Sequence, residues 1–110
     1  MYLKTSYFRS RNHLKNVAAL PCQWCGAENQ TQAAHSNQLK HGKSKAKKAP
    51  DQYCAALCYT CHFEIDQGNK LTKEERRDRW DSAWRNTVKL LVNDDLWPVE
   101  LSIPSDLIAE

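Results

Sequence analysis

The chain has 110 residues and a net charge of +3 at pH 7, which predicts one small domain that keeps about a third of its unfolded surface exposed to water. It contains no run of about 18 apolar residues, and its first residues lack the apolar stretch of a signal peptide. We therefore expect a soluble cytoplasmic protein with no membrane partner, and neither a membrane-spanning nor a secreted one.

Charge is distributed unevenly along the chain. Residues 1–50 contain nine Lys or Arg and one acid, a balance of +8, whereas residues 51–110 contain seven and twelve, a balance of −5. A solvated, mobile loop is predicted where lysines occur without any acid, at Lys40, Lys43, Lys45, Lys47 and Lys48. These lysines are candidate contacts to nucleic acid, since Lys side chains that displace counterions supply affinity that is independent of sequence. An ordinary soluble loop is the alternative.

Breakers and periodicity predict the elements of the first half. A short helix from Ser10 to Leu20 ends before Pro21, which cannot continue a helix. Two segments compatible with strands follow, Thr31–Gln38 and Gln52–Leu57. The lysine loop joins them into a hairpin with a long connection.

The second half is predicted to be mainly helical. One helix spans Tyr59–Gln67, and Gly68 stands where helices commonly end. A capping box that begins at Thr72 starts a second helix, which runs to about Asn93. Apolar residues three or four apart predict a stripe that packs in the core or across a homodimer, at Trp80, Ala83, Trp84, Val88 and Leu91. The segment Leu96–Pro104 alternates apolar and polar residues and is predicted to be extended, either draped over the domain or held by another chain.

Two Cys-x-x-Cys pairs, Cys22/Cys25 and Cys58/Cys61, predict a metal site. Four thiolates are the ligand set of a tetrahedral structural Zn²⁺, and this spacing lets each pair bind the ion from one tight turn. Because four sulfurs leave no open coordination position, any reaction must take place on other residues.

Other functions for the cysteines are less well matched by the pattern. Five cysteines is an odd number, and paired Cys-x-x-Cys units in a reducing compartment favour metal over disulfides. A thioredoxin-like dithiol requires a single pair that opens a helix within a βαβ unit, which is not the pattern here. Cys54 is predicted to be a small buried side chain, with a substitute zinc ligand as the alternative.

Three residues between and after the cysteine pairs are candidates for chemistry. His62 and Asp66 are four apart on a predicted helix, so they project from one face and are able to share a divalent ion. His35 would face this helix if the hairpin folds back on it, and a neutral imidazole there is suited to take a proton from water. The alternatives are a zinc ligand or polar helix position for His62, a surface acid for Asp66 and a hydrogen-bonded strand residue for His35. His13 and His41 are predicted to be solvated surface residues.

The order of these residues resembles the zinc-stapled branch of the HNH, or ββα-metal, endonucleases, in which a structural zinc ion holds the fold together. The resemblance covers about residues 20–69 and rests on Cys22-x-x-Cys25, then Ala34-His35, then Leu57-Cys58-x-x-Cys61-His62-x-x-x-Asp66. The chain is similar in particular to small phage- and prophage-encoded nucleases of the YbcO type. The resemblance implies a small zinc-stapled α+β domain with a ββα-metal core at 20–69. Together with the short N-terminal helix, the long helix at 72–93 and the extended tail at 96–110 that the patterns predict, we expect one domain over residues 1–110.

The resemblance also implies a function for each candidate residue. His35 matches the general base that activates water, His62 matches the histidine that binds the catalytic divalent ion, and Asp66 falls where these enzymes place a second metal ligand. The four cysteines match the structural zinc set. The implied reaction is hydrolysis of phosphodiester bonds in nucleic acid, above all DNA, in which Mg²⁺ or a similar ion polarises the phosphate and stabilises the leaving 3′ oxygen.

Two positions depart from the family pattern. Ala34 stands where many HNH enzymes have an acidic or histidine metal ligand. The Asn that orients the base has no clear match, and Asp51, Gln52 or the backbone is predicted to replace it. Two other classes of function stay open: a catalytically inactive zinc-stapled nucleic-acid-binding or adaptor module, and a partner-binding protein built around the Trp-rich helix.

Overall fold

The computed structural model describes residues 8–44 and 47–104. Within them, three α-helices and a two-stranded antiparallel sheet form a small α+β fold. The elements in chain order are α1 (Arg11–Ala18), β1 (Thr31–His35), a short 3₁₀ helix (Leu39–His41), β2 (Cys54–Cys58), α2 (Tyr59–Asp66) and α3 (Lys73–Asn93). The predicted α+β class and the order of two strands followed by a helix are confirmed. Lys45 and the last six residues of the predicted tail lie outside the described residues.

Side-chain caps determine where α1 and α3 begin. Ser10 Oγ accepts a hydrogen bond from His13 N at 3.1 Å, so α1 starts immediately after Ser10. Thr72 Oγ1 accepts from Glu75 N at 3.0 Å, and Glu75 Oε1 accepts from Thr72 N at 2.8 Å. This reciprocal pair is the predicted capping box, and the helix that it starts ends at Asn93 as expected.

The hairpin is shorter than predicted on its first strand and shifted on its second. Thr31 pairs with Cys58 and His35 pairs with Cys54, in antiparallel register. One further backbone bond, from Ser36 N to Tyr53 O at 2.9 Å, closes the pairing. The chain then turns, because Gln38 N donates to Ser36 Oγ at 3.0 Å rather than to the opposite strand.

The sheet separates two apolar clusters. On one face, Ala34, Ala55 and Leu57 pack with Trp80 and other buried residues of α2 and α3. On the other face, Cys54 and Ala56 pack with Val17 of α1 and with Leu91. Alternate strand residues point to opposite faces, which accounts for this division. Cys54 is only 1% exposed, as predicted for a small buried side chain, and Trp80 packs within the chain at 3% exposed.

The prediction that His13 and His41 are solvated was wrong. His13 is 2% exposed, and its ring meets those of Phe8 and Trp97 edge-on, at centroid distances of 5.9 and 5.5 Å. Neither ring nitrogen of His13 has a hydrogen-bond partner among the described residues. His41 is half-buried and stacks on Tyr53 at 4.4 Å. Both histidines fill gaps beside larger aromatic rings, which the helix and loop patterns did not reveal.

The segment after α3 lies against the α1 side of the domain. Trp97 joins the cluster around Val17 and Leu91. The predicted extended segment is interrupted by a turn, in which Leu101 N donates to Pro98 O at 3.1 Å. In residues 8–44 and 47–104, none of the helices combines the length and the apolar character needed to cross a membrane.

Candidate functional site

The four cysteines of the two Cys-x-x-Cys pairs come together. Their sulfur atoms all lie within 4.8 Å of one another, and Cys25 Sγ is 3.7 Å from Cys58 Sγ. Ligands about 2.3 Å from a tetrahedral zinc ion are about 3.8 Å apart from one another, so this donor set fits the metal. The cluster could hold a metal ion such as zinc, as the sequence predicts.

The first pair lies in a tight turn directly after α1. Backbone N–H groups of Trp24 and Cys25 both approach Cys22 Sγ at 3.5 Å. Gly26, with a φ of 85°, turns the chain back so that its N–H donates to Cys22 O at 3.0 Å. Burial alone would raise the pKa of Cys22, but hydrogen bonds from the backbone of Cys25, Cys58 and Trp24 lower it to about 6. Cys22 is therefore a thiolate at neutral pH, the form that binds metal.

The second pair joins β2 to α2. Cys58 is the last residue of β2 and the N-cap of α2, and Cys61 lies in the first turn of that helix. Burial, together with the neighbouring sulfurs, raises the pKa of Cys61. Coordination reverses such a shift, because a metal ion deprotonates the thiol that binds it. A metal ion here would connect the first cysteine turn, the sheet and the helix that carries His62.

His62 and Asp66 form the first of two polar groups. His62 Nε2 lies 3.0 Å from Asp66 Oδ2, and the two side chains are 26% and 29% exposed. Gln32 Oε1 lies 2.8 Å from His62 Nδ1, and Asn37 Nδ2 donates to Asp66 Oδ1. Burial alone would raise the pKa of Asp66, but the hydrogen bond and charge of His62, with the hydrogen bond of Asn37, lower it below its usual range. Asp66 is thus ionised at neutral pH.

At 3.0 Å the two side chains are in direct hydrogen-bond contact with each other. The two amide side chains that surround the pair, Gln32 and Asn37, were missed by sequence reasoning. The strand register was the available signal, since Gln32 and Ala34 share the face of β1 that packs toward α2 and α3.

His35 belongs to the second polar group. Its Nε2 lies 2.9 Å from Asp51 Oδ1. Asp51 is buried, at 4% exposed, and also accepts hydrogen bonds from Ser10 N at 2.7 Å and from Arg9 Nη1 at 3.4 Å. A carboxylate only accepts, so His35 Nε2 donates in this contact and, in the neutral tautomer that does so, Nδ1 carries the lone pair. Asp51, one of the residues predicted to orient His35, is in contact with it.

The two groups lie on opposite faces of β1 and meet at its end. His35 shares a face with Ala33, which packs against the α1 cluster. The strand residue that contacts His62 is therefore Gln32 and not His35, contrary to the expectation that His35 faces α2. Only Ser36 separates His35 from Asn37, which contacts Asp66, so the Cα atoms of His35 and Asn37 are at most about 7 Å apart.

The lysine segment is tied to the domain at its far end. Arg9 donates from Nη1 to Ala49 O at 2.8 Å and from Nη2 to Lys48 O at 3.1 Å, and Ala49 is buried. The side chains of Lys40, Lys47 and Lys48 are exposed, whereas Lys43 is half-buried. The same Arg9 contacts Asp51, so the end of the lysine segment and the His35 group have a common anchor.

Comparison with known proteins found no matching family model, no similar curated protein and no similar solved structure. The candidate site therefore depends on its own geometry and chemistry.

Proposed function

We propose that this protein is a metal-dependent endonuclease of the HNH type, of phage or prophage origin, that hydrolyses phosphodiester bonds in nucleic acid, above all DNA. The observation that supports this most is the pairing of His35 with the buried Asp51, one residue away from the segment that touches the His62–Asp66 pair. A candidate base and a candidate ion-binding pair thus lie close to one short stretch of chain, and the proposal requires both to reach the same phosphodiester.

His35 is the proposed general base. Its Nε2–H is occupied by Asp51, so Nδ1 is the nitrogen that takes a proton from the attacking water. The carboxylate stabilises the positive charge that the ring then carries, and it fixes the orientation of the ring. Asp51 is therefore a positioning residue in this proposal.

His62 and Asp66 are the proposed ligands of the catalytic divalent ion. Two protein ligands suffice for Mg²⁺, which usually keeps several waters and binds substrate phosphate directly. When bound, the ion supplies electrostatic stabilisation for the charge that develops on the phosphate and on the leaving 3′ oxygen. Ala34 contributes no ligand, which leaves the ion more dependent on Asp66.

The cysteine cluster has a structural role in this proposal. A Zn²⁺ ion with four sulfur ligands has no position for water or substrate, so it stabilises the fold and takes no part in hydrolysis. We place the protein in the cytoplasm, because a reducing compartment keeps such cysteines available to metal.

The test is cleavage of supercoiled plasmid with and without Mg²⁺, on protein whose zinc has been quantified. His35→Asn removes the imidazole and cannot act as a base, so we expect it to lower the cleavage rate by about 100-fold or more. Zinc content and circular dichroism should stay those of the wild type. Wild-type and His35→Asn protein that cleave at the same rate would contradict the proposal.

One observation favours the alternative of a catalytically inactive nucleic-acid-binding or adaptor module. His62 and Asp66 already satisfy each other and the amides of Gln32 and Asn37, so neither needs an ion for a partner. In that case wild-type protein should bind nucleic acid in a salt-dependent manner and show no Mg²⁺-dependent cleavage. The same plasmid assay therefore distinguishes the two functions.

A further inference from the structure

A groove of about 750 Å³ lies beside Asp66. One wall is the segment Asn37–Lys40 that follows β1, the second is the end of α2 at Ile65 and Asp66, and the third is the first half of α3. The groove carries both signs of charge; its cations are Lys40, Lys73, Arg76 and Arg77, and its acids are Asp66, Glu74, Asp78 and Asp81. Because the cations and acids are equal in number, the net formal charge of the groove does not identify a ligand. The kind of ligand must be inferred from where the charges lie.

The helix period separates the cations of α3 from its acids. Trp80 points into the core, and successive helical residues are about 100° apart around the axis. On this count Lys73, Arg76 and Arg77 lie within about 60° of Trp80, whereas the acids lie about 100° or more away, at Glu74, Asp78 and Asp81. The cations of α3 thus lie on the side of the helix nearer Trp80, where Lys73 and Arg77 remain exposed to solvent, whereas Asp81 is half-buried.

Three of these cations are not paired with an acidic side chain in the described part of the chain. Within residues 8–44 and 47–104, Lys40, Lys73 and Arg77 form no ion pair. Arg76 is held in place, because its Nη2 donates to Gly68 O. Asp81 is bound by Gln38, whose Nε2 donates to Asp81 Oδ1 at 2.9 Å. This bond connects the segment after β1 to α3 and keeps the two sides of the groove together.

The position of these cations along α3 is unfavourable for the helix itself. Positive side chains in the first turns of a helix oppose the helix dipole, which favours negative charge there. Lys73 is the first residue of α3, and Arg76 and Arg77 follow within the next turn. Lys73 and Arg77 gain no favourable interaction with the dipole at this end of the helix, whereas a phosphate in the groove would interact favourably with both side chains.

We infer that this groove binds the sugar–phosphate backbone of the nucleic-acid strand next to the bond that is cut, with Lys40, Lys73 and Arg77 in contact with phosphates. The inference rests on the proposed function and specifies where its substrate lies. It transfers the main contact from the lysine run to α3, a part of the chain outside the motif region, and leads the strand directly to Asp66.

The test is the salt dependence of binding to a labelled 20-base-pair DNA duplex, measured without Mg²⁺ so that no cleavage occurs. Each phosphate contact adds about 0.9 to the slope of log K against log salt. Lys73→Gln with Arg77→Gln should therefore lower the slope by about 2. The matched control is Arg11→Gln with Lys15→Gln, which removes one Arg and one Lys, also four apart, from exposed positions of α1.

Both double variants carry the same net charge, so a general electrostatic effect would lower both slopes equally, and that result would overturn the inference. An unchanged slope in the α3 variant would also overturn it. Because Lys73 and Arg77 are exposed residues at a helix end that disfavours positive charge, the α3 variant should fold, and circular dichroism and zinc content check this. Lys40→Gln repeats the test from the opposite wall of the groove and should lower the slope by about 1. The nuclease proposal is judged separately, because His35→Asn should lose cleavage while keeping the wild-type slope.

Discussion

The two polar groups of the candidate site are built in different ways. His62 and Asp66 are neighbours on one turn of α2, and both are about one quarter exposed. His35 instead depends on Asp51, which is buried and is held by Arg9 and Ser10 from the other end of the described chain. The first group is determined by helix spacing and the second by tertiary contacts.

This difference indicates which changes to the protein should disrupt the geometry of each group. A pair on a single helix persists as long as α2 is folded, and the N-cap of α2 is Cys58, one of the four clustered cysteines. A histidine held by a buried carboxylate depends on that carboxylate and on the packing of α1 against the sheet. The His62 group should therefore respond most to metal, and the His35 group to substitutions on the α1 side.

Loss of the metal should have the largest effect. Structural zinc contributes on the order of 10 kcal/mol to the folding of small domains, which is comparable with the whole stability of such a domain. We expect Cys58→Ser to lose zinc and the amide-exchange protection of α2, as measured by metal analysis and hydrogen exchange.

The matched control for this prediction is Cys54→Ser. Cys54 is equally buried on the same strand but lies outside the cluster, so its replacement should keep the zinc and lower the free energy of unfolding by only about 1–3 kcal/mol. Loss of zinc from the Cys54 variant would show that Cys54 is a ligand, and retained protection of α2 in the Cys58 variant would refute the structural role of the cluster.

The second-largest effect is expected from replacement of the two aspartates, one in each polar group, which should distinguish the roles of the two groups. Asp51→Asn should slow cleavage by about 100-fold, because it removes the carboxylate that orients His35, and additional Mg²⁺ should not restore the rate. Asp66→Asn, the same chemical change in the other group, should raise the Mg²⁺ concentration needed for half-maximal cleavage by about tenfold and be rescued at high Mg²⁺. A Mg²⁺ titration of the cleavage rate of both variants measures this. If the two variants respond to Mg²⁺ in the same way, the two groups do not have separate roles.

The smallest expected effect is a pH dependence of stability on the α1 side. Burial lowers the pKa of His13 below its ordinary value of 6.5, although the charge of Asp51 acts in the opposite direction. The folded state thus favours neutral His13, and its contribution is fully present above pH 6.5 and is lost as pH falls from there through the folded-state pKa. We expect the free energy of unfolding to fall by up to about 1.4 kcal/mol per pH unit for this proton.

Urea denaturation between pH 5 and 8, a window set about the ordinary histidine value, tests this prediction. His13→Phe keeps an aromatic ring against Trp97 and should remove the part of the pH dependence that belongs to His13. Burial and the charge of Lys40 also lower the pKa of His41. Part of the loss of stability at acid pH should therefore remain in the His13→Phe variant. If the variant and the wild type have the same pH dependence, the buried His13 does not control it.

Features that depend on a few consecutive residues were predictable from the sequence. The capping box at Thr72, the Cys-x-x-Cys turns and the His62–Asp66 pair all arise within one helical turn or one tight turn. The length of β1 was not predictable, because the strand ends where Ser36 Oγ, and not the opposite strand, binds the next backbone N–H. Likewise, the periodicity of α1 did not reveal that His13 is buried, since Trp97 reaches it from the other end of the chain.

The sequence by itself determined the four-cysteine set that could hold a metal ion, the ends of the main helices and the pairing of His62 with Asp66, because each depends on spacing along a short stretch of chain. Only the tertiary structure decided that Asp51 holds His35, that Gln32 and Asn37 surround the other pair, and that cations of α3 line a groove beside Asp66. These arrangements join residues about 15 to 45 positions apart, and the packing of both faces of the sheet brings them together in a way that no local pattern encodes.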